Sequence, residues 1–69
     1  MDFDKFKKII ANLGDVWGEQ KHLVFSRTRA FFTARYMPDN ASEASAIIFC
    51  PLTGIWRYEG PHTENIQQY

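Results

Sequence analysis

The sequence predicts an α+β fold: an N-terminal amphipathic helix packed on a three- or four-stranded antiparallel sheet, in the order αββββ. Three observations lead there. Apolar residues near the N-terminus recur at three- and four-residue spacing, and beyond residue 20 the period changes to two. Near the C-terminus two short apolar stretches are joined by Pro51-Leu52-Thr53-Gly54, a strong turn sequence.

Phe3, Phe6, Ile9, Ile10 and Leu13 share one face of a helix predicted over residues 3–13, and Gly14 stands where a helix commonly stops. Asp2 is placed to cap it. Asp4 lies in the first turn, where a negative charge suits the helix dipole, and Lys5, Lys7 and Lys8 fall mostly on the wet side. Residues 15–20 follow neither period and read as a connection, with Trp17 closing one end of the core.

Residues 21–26 and 29–36 are rich in aromatic and β-branched types and read as two strands. Arg27-Thr28 between them lacks the Gly or Asn of a tight hairpin, which keeps a second helix over residues 27–36 open as the alternative. A polar loop follows over residues 37–45, announced by Pro38-Asp39-Asn40, with room for a short helical turn at its end. Ala46 to Cys50 is apolar on both faces, as an internal strand would be, and Ile55 to Glu59 supplies the last strand. Gly60-Pro61 ends it. The tail over residues 60–69 is either frayed or one short helical turn docked by Ile66 and Tyr69.

At 69 residues the chain reads as a single small domain over residues 1–69, because a chain this short buries only about 60% of its unfolded surface and supports one modest core. Its six Phe, three Tyr and two Trp are an efficient way to reach adequate burial from few positions, and large rings serve equally as interface anchors. A lone Cys50 makes no intrachain disulfide. The charged N-terminus offers no apolar leader, and no apolar run approaches the roughly 20 residues of a membrane span, so an intracellular, reducing location away from membranes is expected.

Eight basic residues balance eight acidic ones, but unevenly. Residues 21–36 carry Lys21, Arg27, Arg29 and Arg35 with no acid, while residues 37–69 carry four acids against Arg57 alone. The middle of a neutral protein is thus a basic stripe.

Alternation along the strands sends Leu23, Phe25, Ala30, Phe32, Ala34, Tyr36, Trp56 and Tyr58 toward the helix. The opposite face then receives Val24, Arg29, Phe31, Thr33, Arg35, Ile55 and Arg57, with alternate members of Ile47, Ile48 and Phe49. One helix of about three turns covers only one face of a sheet, so the other is expected to be an apolar surface rimmed with arginine. Such a surface is closed by curling into a small barrel, by self-association, or by docking another molecule.

The function expected from this pattern is a small non-enzymatic binding protein that engages a protein partner, or a second copy of itself, and thereby modulates or inhibits that partner. The expected contacts are Arg29, Phe31, Arg35, Trp56, Arg57 and Tyr58, with rings as anchors and arginines pairing with acidic groups. Small neutral chains without a catalytic constellation are frequent among the accessory proteins of bacteriophages and mobile elements, and this one fits that class.

The alternative is a single-stranded RNA-binding module that stacks bases on Phe31, Phe32, Tyr36, Trp56 and Tyr58 and pairs phosphates with the arginines. A pI near 6.7 and the lack of an RNP-like motif weigh against it, and cross-strand salt bridges to Glu43 or Glu59 would explain the arginines as well. No catalytic residues, metal ligands or cofactor are expected. Cys50 sits in the most apolar run, where a small buried hydrophobe is the ordinary role, and Cys50, His22 and His62 form no short-range ligand pair. Both histidines read as exposed or edge residues without a special role.

Overall fold

The computed structural model describes residues 1–39 and 44–63. Helix α1 spans Phe3–Ala11, the short helix α2 Asp15–Glu19, and four strands follow: β1 Leu23–Arg27, β2 Phe32–Tyr36, β3 Ser45–Cys50 and β4 Ile55–Glu59. A 3-10 turn, η1, occupies Pro61–Thr63. All neighbouring strands pair antiparallel in the order β1-β2-β3-β4, an N-terminal helix followed by a four-stranded meander, as the sequence predicts.

Helix α1 begins where expected, with the Asp2 carboxylate accepting the Lys5 N–H at 2.8 Å. It ends two residues before the predicted limit. The Asn12 N–H is shared between the carbonyls of Lys8 and Ile9, and the Leu13 N–H turns to Ile10, so the last turn tightens from i−4 to i−3 bonding. The expected connection over residues 15–20 contains helix α2, because the Gly18 N–H returns to the Gly14 carbonyl at 3.0 Å and closes a helical turn. That turn drives Trp17 into the end of the core, where it is 1% exposed.

The doubtful stretch after β1 is a hairpin, and residues 32–36 are strand, which settles the alternative helix over 27–36. The second strand begins at Phe32, three residues later than predicted, because residues 28–31 form the turn. Its chemistry comes from Thr28. The Thr28 N–H donates to the Phe31 carbonyl at 2.9 Å, while the Thr28 hydroxyl accepts from the N–H groups of Ala30 (3.2 Å) and Phe31 (3.0 Å). A side-chain oxygen here does what a left-handed Asn-Gly pair does in commoner hairpins. The β3–β4 turn is the predicted one: the Gly54 N–H closes onto the Cys50 carbonyl at 2.8 Å, and Gly54 takes φ +75°, which glycine adopts without steric cost.

Strand alternation sorts the sheet into two faces. Toward the helices point Leu23, Phe25, Phe32, Ala34, Tyr36, Ser45, Ile47, Phe49, Trp56 and Tyr58. The core comprises Phe6, Ile10, Trp17, Phe32, Ala34, Ile47 and Phe49. Phe6 is its hub, with its ring centroid 5.7 Å from Phe32, 5.9 Å from Trp56 and 6.5 Å from Phe25. Burying one such ring contributes about 1.5–3 kcal/mol, a large share for so small a core.

The chain after β4 packs at the end of the sheet where β4 finishes, beside the start of β3. The His62 N–H donates to the Oγ of the fully buried Ser45 at 3.2 Å, and the His62 carbonyl accepts the Trp17 indole N–H at 3.2 Å. The His62 ring meets Tyr36 edge-on at 5.1 Å. Residues 60–63 are thus a latch joining sheet and α2, not a frayed end. Gly60 makes the latch fit: at φ +94° a Cβ there would come within 2.5 Å of the Ala44 carbonyl oxygen and 2.7 Å of the Ser45 Cα. The expected docking by Ile66 and Tyr69 lies outside the described residues, as do residues 40–43 of the expected 37–45 loop; at that loop's end Ser45 is already strand and not helical turn.

Candidate functional site

The face of the sheet away from the helices has no layer over it among the described residues. Cross-strand register lays it out in rows. At one end Val24, Arg35, Ala46 and Glu59 lie side by side, next come Ser26, Thr33, Ile48 and Arg57, and at the hairpin end Phe31 stands beside Cys50 and Ile55. Val24 (56%), Phe31 (41%) and Ile55 (58%) are large apolar residues in contact with solvent. At the hairpin end Phe31, Ile48, Cys50, Thr53, Ile55 and Arg57 line a shallow hollow of about 280 Å³. Most of its lining is apolar, and Arg57 is among the residues that border it.

The six expected contact residues divide. Phe31, Arg35 and Arg57 share the open face, and Arg29 is exposed in the adjoining β1–β2 turn. Trp56 and Tyr58 belong to the other face, because alternation along β4 turns them toward the helix. There Trp56 packs 4.6 Å from Phe49 and 5.9 Å from Phe6, with Tyr58 stacked against it at 6.4 Å. They are half-buried core members. The residues that share the hollow with Phe31 and Arg57 but were absent from the expected contact set are Ile48, Cys50 and Ile55. The parity of Ile48 and Cys50 was hidden because Ala46 to Cys50 is apolar at every position; only the pairing of Ala34 with Ile47 decides which members face out.

The arginines are dispersed in the same way. Arg27 sits on the helix side, its guanidinium 5.4 Å from the Phe3 ring centroid. Among the described residues the ion pair within 4 Å is Lys7 with Asp4, on α1, so Arg35 and Arg57 form none there. Glu59, expected as a cross-strand partner, lies two strands from Arg35, with Ala46 between them, and Glu43 is outside the described residues. The Phe32, Tyr36, Trp56 and Tyr58 rings that would stack bases all face the helices, leaving Phe31 as the open face's own aromatic ring.

Cys50 is half-buried on the open face, not part of the core, because in β3 it has the parity of Ala46 and Ile48. Its thiol is held below the usual value, first by the Thr53 hydroxyl and then by backbone hydrogen bonding from Thr53 and Leu52, with burial opposing. Neither histidine is near it. His22 precedes β1 and His62 binds Ser45, at the end of the sheet about 17 Å along β3 from Cys50. Among the described residues no cluster of three or more His, Cys, Asp or Glu could hold a metal, and no helix is long and apolar enough to cross a membrane.

Comparison with models of protein families, with curated proteins and with solved structures finds no match.

Proposed function

We propose that this chain is a small binding protein whose open sheet face engages a protein partner and modulates or blocks it. The observation that carries the reading is the asymmetry of the sheet: one face lies under α1 and α2, while the other leaves Val24, Phe31 and Ile55 about half exposed beside Arg35 and Arg57. Apolar anchors ringed by arginine are the composition that protein interfaces enrich. RNA binding is the lesser reading, since a base-stacking platform needs several exposed rings and the open face offers Phe31.

The test is capture of a partner from the native host with wild-type protein and with Ile55→Asp, whose side chain points away from the core. Loss of capture at an unchanged circular dichroism spectrum and melting temperature supports the reading. Undiminished capture, or capture that needs nucleic acid, overturns it.

A further inference from the structure

We propose that the occupant of the open face is a single acidic amphipathic helix of a partner protein, its apolar side seated in the hollow at the hairpin end and its acids paired with Arg35 and Arg57. This rests on the reading of that face as a docking surface and adds what docks there. Two observations select the occupant.

The first is size. Four strands about 4.8 Å apart, three of five residues and one of six, present a platform of about 19 by 17 Å, or roughly 320 Å² in projection. A stable association of two globular subunits engages about 20–30 residues on each, whereas the rows of this face hold eleven, so two copies pressed together by this face alone fall well short. A helix of about 10–12 Å diameter matches it, as the other side of the same sheet demonstrates: α1, nine residues and about 14 Å long, lies across that platform and seats Phe6 and Ile10 at 0% exposure. A second helix on the open side would complete a three-layer sandwich.

The second is charge. The open face holds Arg35 and Arg57 against Glu59, with Arg29 in the adjoining turn, and no ion pair among the described residues satisfies these arginines. Two copies would set one net positive face against another. A helix with Asp or Glu flanking its apolar stripe supplies the missing counter-charges, and Arg57, which borders the hollow, sets an acid beside the anchor. The anchor is an aliphatic or aromatic side chain entering between Phe31, Ile48 and Ile55, where the lining is apolar.

The experiment is selection of random 14-residue peptides displayed on phage against the immobilised full chain, with counter-selection on Ile55→Asp, followed by amide chemical-shift mapping of the enriched sequences. The expected result is enrichment of apolar residues at i, i+3, i+4 and i+7 with acids on both flanks, shifts concentrated at Phe31, Ile48, Ile55 and Arg57, and affinity lowered about tenfold by Arg57→Glu. Enriched peptides that are basic, that alternate apolar and polar residues as a strand does, or that shift α1 instead overturn the proposal, as does the absence of enrichment. Concentration-dependent shifts of the same face without peptide would assign it to a second copy, and equal shifts with poly(U) would assign it to RNA; each overturns the helix. If host-protein capture depends on Ile55 while no acidic helix is selected, the docking face stands and the identity of its occupant fails. If capture ignores Ile55, both fail.

Discussion

The two faces of one sheet are built from similar residue types and have different fates. On the helix side Phe32, Ala34, Ile47 and Phe49 are at most 7% exposed, because α1 and α2 lower Phe6, Ile10 and Trp17 onto them. On the far side Val24, Phe31, Ile48 and Ile55 alternate with arginine, threonine and serine, and nothing among the described residues covers them. What the difference teaches is that cover, rather than composition, decides whether an apolar residue of a small sheet contributes to stability or remains free for recognition.

The comparison breaks most visibly at Phe6. Truncation to Ala removes a ring packed on Phe3, Phe25, Phe32 and Trp56, and a loss of about 3–5 kcal/mol is expected, enough to unfold much of the population in a urea titration at 25 °C. Gly60→Ala comes next. It places a methyl against the Ala44 carbonyl and forces a positive φ on alanine, so a loss of at least about 2 kcal/mol is expected, together with faster amide exchange at His62. Thr28→Val keeps the shape but strips two backbone N–H groups of their acceptor, and about 1–2 kcal/mol should be lost in the same titration. The smallest effect belongs to the open face: Val24→Thr, at a residue 56% exposed, should move stability by no more than about 0.5 kcal/mol. A loss above about 2 kcal/mol there would show that the face is already covered in solution.

Much of this architecture was legible in advance. The Asp2 cap, the Gly54 turn and the 3.6 period are local features: the cap and the turn appear where their chemistry placed them, and of the periodic residues Phe3, Phe6, Ile10 and Leu13 reach the core, Leu13 from just beyond the helix, while Ile9 lies beside Met1, Lys5 and Asn12 instead. The first hairpin was obscure because its turn residue is Thr28, whose hydroxyl closes the turn through bonds that no dipeptide rule records. The His62 latch was obscure for a different reason: its bonds join residues 17 and 45 positions apart from it in the chain, and the histidine contributes them through its backbone. One clue was present, since a buried tryptophan needs an acceptor for its indole N–H, but the sequence does not say which carbonyl supplies it.

For the candidate site, strand alternation alone placed Val24, Phe31, Arg35, Ile55 and Arg57 together, since a period of two fixes side-chain parity without knowledge of the partner strand. The same rule puts Trp56 and Tyr58 with the helix, and the structure counts them among the core's supports. By itself, then, the sequence determined α1, the β3–β4 hairpin, the αββββ order as its leading reading and the parity of each amphipathic strand, while α2 and the strand at residues 32–36 needed the structure. The tertiary structure alone decided the parity of the uniformly apolar β3, the exposure of Cys50, the return of residues 60–63 onto the sheet, and the hollow formed by Phe31, Ile48, Ile55 and Arg57. The reason is range: caps, turns and periodicity are set by residues within a few positions of one another, whereas register, latching and concavity arise between segments that only folding brings together.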